Sequence, residues 1–160
     1  MTDVNYLADR VAVTETVARF AWSQDLEDWE GLRAILADTV TLDVSEHLGA
    51  PPQELSADDF VVASRAVREG FHSTHHSTSN VIVEIEGDHA NYRSFVVAYH
   101  HVPAEAVDWL VMRGFWHVDL RRVDKEWRLR RIRVVRKAPF AGNSELYAIA
   151  AGATDKAGVK

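Results

Sequence analysis

STSNVIVEIEGDHANYRSFVVAYHH, residues 77–101, alternates apolar and polar side chains on both sides of a break at Gly87–Asp88. A side-chain period of two is what a half-buried strand needs, so the segment predicts two antiparallel strands joined by a tight turn. The same period runs on through DWLVMRGFWHVDLRRV (108–123) and EWRLRRIRVVRK (126–137), which flank a VDKE turn. Together these four runs predict an antiparallel meander.

Before residue 71 the period is helical. Leu7, Val11, Val13, Val17, Phe20 and Ala21 recur at helical spacing between Tyr6 and Ser23. Trp29, Leu32, Ile35 and Leu36 predict a shorter second helix ending near Asp38, with Asp28 as its cap. TVTLDV (39–44) alternates like a strand and LGAPPQ ends it. Ser56 with Asp59 resembles a capping box, and FVVASRAVREG then runs as a helix stopped by Gly70. Helices first and sheet later predict an α+β domain with its helices on one face of a curved, antiparallel sheet. Beyond Phe140, SELYAIAA predicts a short helix and ATDKAGVK a mobile end. A single domain is expected over 1–140, with a tail over 141–160.

The 160 residues have room for one domain with a substantial core. No apolar run reaches membrane length, and MTDVNYLADR lacks the build of a signal peptide, so a cytoplasmic protein with no membrane partner is expected. The absence of cysteine excludes thiolate catalysis, disulfides and Cys-based zinc sites. Net charge is −6, yet residues 121–137 carry nine Lys/Arg against two acids. That basic run reads as a solvated hairpin face, with an anionic ligand as the alternative. An acidic domain with one basic hairpin does not have the charge distribution of a nucleic-acid binder.

FHSTHHSTSN (71–80) places His72, His75 and His76 within five positions. On a strand the same-face spacing is two, and no His-x-His occurs, so no metal site is expected. Acid–base chemistry is the other use for a histidine, and it needs an orienting partner. Asp25, between Trp22 and Trp29, is either an exposed cap or a carboxylate held in an apolar pocket. Val81, Val83 and Ile85 share one strand face, and strict alternation would put His75 on it; a bulge or bend at Ser77–Ser79 would bring His76 there instead.

SQDLEDWEGLRAIL, HSTSNVIVEIEGDHA and the GFWHVDLRRVDKEWRL hairpin, with the order of elements over about residues 5–137, resemble the nuclear transport factor 2-like superfamily. The likeness is to its SnoaL-like group, which contains scytalone dehydratase and hexachlorocyclohexane dehydrochlorinase. The resemblance implies a conical α+β barrel in which the meander and the Thr39–Val44 strand wrap the first helix. It further implies a His–Asp dyad in a conical cavity: Asp25 by alignment on SQDLEDW, and His76 by alignment on H-x-x-x-N, with His75 in reserve. Three polar positions of scytalone dehydratase fall on Gln24, Val44 and near Trp116, and a further family histidine falls near His100 or His101. This chain therefore resembles a relative of that enzyme and not the same enzyme.

A lyase is expected, acting without a cofactor on a small, apolar, cyclic molecule. Trp22, Trp29, Phe95, Tyr99, Trp109, Phe115 and Trp116 are candidates for the cavity lining. The alternatives are an isomerase or cyclase using the same dyad, or a binding module without catalysis. Apolar residues on both faces of SFVVAYHHV and DWLVMRGFW predict a homodimer or homotrimer.

Overall fold

The computed structural model describes residues 4–103 and 107–157, with side chains as far as Gly152. Helix α1 (Val4–Leu26) buries the stripe Val13, Thr16, Val17, Phe20 and Ala21. Leu7 and Val11, expected on that stripe, are exposed, as is Trp22. The periodicity placed the helix correctly but overstated the width of its buried arc near the start.

Asp28 caps α2 (Trp29–Ala34) by accepting from the Gly31 N–H at 2.9 Å. The helix ends earlier than its apolar spacing predicted. Leu36 already belongs to strand β1 (Leu36–Asp43), because the Ile35 carbonyl accepts from the Leu129 N–H at 2.8 Å. Cross-strand pairing overrides local helical preference there. The LGAPPQ break contains the end of a short helix, α3 (Ser45–Leu48), and leads into an edge strand, β2 (Gln53–Ser56), neither of which was expected. The capping box is present at α4 (Ala57–Arg68): Ser56 Oγ accepts from the Asp59 N–H at 3.1 Å and donates to Asp59 Oδ2 at 2.6 Å.

The meander follows as β3 (Ser73–Glu86), β4 (His89–His101), β5 (Trp109–Val123) and β6 (Glu126–Arg136). Strand β7 (Ala141–Gly142) pairs with β5, and helix α5 is Leu146–Ala157. The sheet order is β2-β1-β6-β5-β4-β3. All meander pairings are antiparallel, as the sequence predicts. One feature corrects the expectation of a wholly antiparallel sheet: β1 lies parallel to β6, which makes the sheet mixed. No hairpin joins those two strands, so nothing local constrains their relative direction.

The helices and this curved sheet form the α+β cone. Inner residues of β4 and β5, such as Tyr92, Val96, Leu110 and Leu120, are buried. On the outer face Phe95, Val97, Tyr99 and Trp109 are exposed, which removes all but Trp116 of the strand aromatics from the expected lining. The predicted boundary at residue 140 falls inside the packed structure, since Leu146 is 0% exposed and Gly70 leaves only 2.6 Å between an added Cβ and the Ala150 carbonyl oxygen. Residues 158–160 of the expected mobile end lie outside the described residues. Among the described residues no helix is long and apolar enough to cross a membrane.

Four of the nine basic residues of the run form ion pairs, three of them with other elements. Arg122 bonds both oxygens of Asp9 at 2.8 and 2.7 Å and also reaches Asp88, while its guanidinium lies 4.4 Å from the Trp127 ring. Arg131 bonds Asp43 at 2.9 Å, Arg133 bonds Glu46, and Arg128 bonds Glu126. Three of these pairs tie the hairpin to α1, β1 and α3, so part of the face expected to be simply solvated anchors other elements.

The register of β3 jumps between Ser79 and Ile82, where Asn80 sits at φ 54°. The extra residue reverses which side chains face inward: Thr74, His76 and Thr78 before it, Val81, Val83 and Ile85 after it. The bulge that His76 required is thus present, one residue beyond the segment where it was expected. Asn tolerates left-handed backbone and a β-branched residue does not. Asn80→Val should lower unfolding stability by about 1–2 kcal/mol, whereas Asn80→Gly should be nearly neutral. Denaturant titration of the two variants checks this.

Candidate active site

Asp25 stands in the last turn of α1, facing the start of β3. Its Oδ1 accepts from His76 Nδ1 at 2.7 Å and from Thr74 Oγ1 at 2.8 Å, and its Oδ2 accepts from the His76 backbone N–H at 2.7 Å. Burial would raise the Asp25 carboxyl, but these bonds and the neighbouring imidazole outweigh it and hold the group below its ordinary value. The side chains of His76 and Asp25 are only 17% and 14% exposed, so the pair is shielded without being sealed.

Beyond His76 opens a cavity of about 270 Å³. Its walls are largely apolar, with Phe20, Leu42, Phe60, Phe71, Met112, Ile132 and Val134 among them. His76 lines it and Asp25 does not, so with Nδ1 committed to the carboxylate, Nε2 is the ring nitrogen left for a bound molecule. Trp116 packs beside the imidazole at 5.6 Å between ring centroids, and His100 follows at 5.8 Å.

Gln24, Val44, His76, His100 and Trp116 all line this cavity. Several other expected residues do not. His75 projects outward and bonds Ser77 Oγ at 3.0 Å, as the bulge dictates. His101 also lies away from the cavity, paired with Asp108 at 3.1 Å. Tyr99 stands on the outer sheet face, and Trp22 is 66% exposed on the outer side of α1. Trp29 stacks with Arg65 at 5.6 Å instead of entering the cavity. The three clustered histidines do not converge, and among the described residues no group of three or more His, Asp or Glu side chains is placed to hold a metal ion.

Sequence reasoning missed His47, Arg68 and Tyr147, which also line the cavity. Arg68 is buried, donates to the Phe71 carbonyl at 2.8 Å and pairs with Glu27 at 3.1 Å. The Tyr147 hydroxyl lies 3.4 Å from His47 Nε2 and 3.3 Å from His100 Nε2. A lone histidine in SEHLG carries no periodic signal. The helical pattern of SELYAIAA was visible, but not its docking against the cone.

The chain belongs to the SnoaL-like domain family, whose pattern matches residues 5–133. Among solved structures it is similar to Kfla4162 from Kribbella flavida, with 27% identity, a TM-score of 0.81, and coverage of 91% of this chain and 98% of that one. A candidate scytalone dehydratase from Novosphingobium aromaticivorans shares 22% identity at a TM-score of 0.74, covering 89% and 92%. A hexachlorocyclohexane dehydrochlorinase, LinA type 2, shares 16% at 0.76, covering 89% and 94%. These likenesses confirm the nuclear transport factor 2-like fold. Among curated proteins no sequence matches.

Burial pushes His47 down to about 4, with Arg136 and His76 adding to the effect. It pushes His100 down to about 3, where His76, His47 and Arg68 add and Asp25 opposes. An unfolded chain protonates both rings near their ordinary 6.5, so below that pH the unfolded state takes up protons that the folded state does not. Stability should therefore decline as pH falls from about 6.5 to 4. The depressed Asp25 carboxyl adds a further loss below its ordinary 3.8. Melting temperatures across this range should fall less steeply in His100→Gln than in the wild type; equal slopes would contradict the assignment.

Proposed function

We propose that the chain is a small-molecule lyase acting without a cofactor, in which His76 is the general base and Asp25 its orienting partner. The observation that carries this reading is the 2.7 Å contact between His76 Nδ1 and a carboxylate outside the cavity, beside an imidazole that lines it. Asp25 holds the proton on Nδ1, which leaves the Nε2 lone pair free to act as the base. Nε2 then removes a proton from a carbon next to an activating group. The C–H electron pair forms the new double bond and expels a hydroxide or halide from the adjacent carbon. A departing hydroxide takes the proton back from the imidazolium and leaves as water; a halide leaves as the anion, and the imidazolium returns its proton to solvent. Apolar walls exclude water that would screen the dyad, and they favour a ring compound of modest size.

His76→Ala should abolish turnover while the fold survives, because Thr74 and the backbone N–H of residue 76 still satisfy Asp25. Asp25→Asn should cost about 10²–10⁴-fold, the range for general-base and orienting groups, and His75→Ala should do little. NMR in D₂O over a panel of cyclic ketones, hydroxyketones and chlorinated cycloalkanes measures both proton exchange and elimination. Full activity in His76→Ala, or activity on no member of the panel, would overturn the reading.

The proposal extends to assembly as a homodimer or homotrimer through the outer sheet face, where Phe95 and Phe115 stack at 5.1 Å and Val97, Tyr99 and Trp109 are exposed. Sedimentation at micromolar concentration should give twice or three times the 18.0 kDa chain mass; a monomer alone would rule this out.

A further inference from the structure

A fixed charge sits in the wall of the cavity. Among the described residues that line it, Arg68 is the sole Lys, Arg, Asp or Glu; the others are apolar, neutral polar or imidazole side chains. Arg68 is the last residue of α4 and is only 7% exposed. A guanidinium carries five N–H donors and no acceptor. Here Nη1 donates to the Phe71 carbonyl at 2.8 Å, and Nη2 lies 3.1 Å from Glu27 Oε1. Each Nη keeps a second N–H, and Nε is buried without a partner.

Glu27 offsets the charge from the solvent side and does not line the cavity. Its side chain is 49% exposed against 8% for Arg68, so water screens the acid far more than the base. Seen from the cavity, the pair therefore presents more positive charge than negative. That charge is felt inside: after burial itself, Arg68 is among the neighbours that disfavour a proton on His100. The Asp25 carboxylate lies behind His76, outside the cavity. It disfavours a second anion beside the imidazole and leaves Arg68 as the place for one. Gln24 brings a carboxamide, with two further N–H donors, to the same cavity.

We propose that the cavity takes ring compounds bearing a carboxylate, held by the donors of Arg68 that Phe71 and Glu27 leave free, with the ring among the apolar walls. The planar guanidinium matches a carboxylate in geometry as well as in charge. The anion anchors the ring and takes no part in proton transfer, so it tightens binding without changing the chemistry, and uncharged rings remain weaker ligands. In naming a substrate class the proposal rests on the reading of this cavity as the place where His76 acts.

Equilibrium dialysis against indane-2-carboxylate and indane-2-carboxamide, one skeleton with and without the charge, tests it at neutral pH. The wild type should bind the carboxylate roughly 10-fold more tightly, the margin of a charged over a neutral hydrogen bond. Arg68→Met should abolish that preference. His76→Gln, which keeps a neutral side chain in front of Asp25, should retain it and so exclude a protonated imidazole as the anion's partner. Glu27→Gln removes the competing acid and should tighten the carboxylate roughly 2- to 5-fold, the span of a half-exposed ion pair, with the amide unchanged. If Arg68 served only to clamp α4 to the end of α1, Glu27→Gln would weaken both compounds alike. Equal affinities in the wild type, binding of neither compound, a preference that survives in folded Arg68→Met or vanishes in His76→Gln, or no gain in Glu27→Gln would each overturn the proposal. Where Arg68→Met does not fold, the wild-type preference and the gain in Glu27→Gln decide it. Dialysis reads binding and not turnover. A carboxylate preference without His76-dependent proton exchange would therefore refute the base while sustaining the anion site, and exchange without the preference would do the opposite.

Discussion

A single carboxylate ties the long first helix to the sheet. Asp25 accepts from the backbone N–H and ring of His76 and from the hydroxyl of Thr74, so the end of α1 is fixed to the first strand of the meander by three bonds converging on one group. Bonds to an ionised acceptor are stronger than neutral ones, and these hold the group anionic despite its burial. The fixed imidazole then has only one nitrogen to offer the cavity. Helix placement, strand placement and the chemistry available at the site therefore follow from the same contact.

The contact depends in turn on the irregularity at Asn80. Without the extra residue, the side-chain alternation that buries Val83 would turn His76 outward and His75 inward, and Asp25 would face the wrong histidine. Left-handed backbone at an asparagine costs little, so the sheet accommodates the bulge without losing its pairing with β4. Farther from the cavity the Arg122–Asp9–Trp127 cluster secures the start of the same helix to the β5–β6 hairpin. Both ends of α1 are thus held by polar groups, and its middle by apolar packing.

Polar groups inside an apolar cavity are expensive unless they are paired. His47 and His100 each meet the Tyr147 hydroxyl through Nε2 and leave Nδ1 without a partner, and desolvation disfavours charge on both imidazoles. The cavity consequently holds two different kinds of histidine. One is bonded to a carboxylate, and two are desolvated beside a phenol. The distinction is environmental, since the side chains are chemically the same.

Much of the fold was legible because hydrophobic periodicity is local: the switch from helical to strand spacing near residue 71 marked the meander, and Ser56–Asp59 and Asp28 marked two helix starts. The pairing of Asp25 with His76 came from resemblance and was consistent with the strand only if a bulge intervened. The parallel pairing of β1 with β6, the outward rotation of Trp22 and Tyr99, and the docking of α5 with Tyr147 had no local signature. Each depends on which distant surfaces meet, and a residue's own neighbours in the chain carry no information about that. Sequence alone determined the longer elements and the residue types able to do acid–base chemistry. Tertiary structure decided which of those residues share a cavity, and through desolvation and hydrogen bonding which of them stays charged, because both effects act across space between groups far apart in the chain.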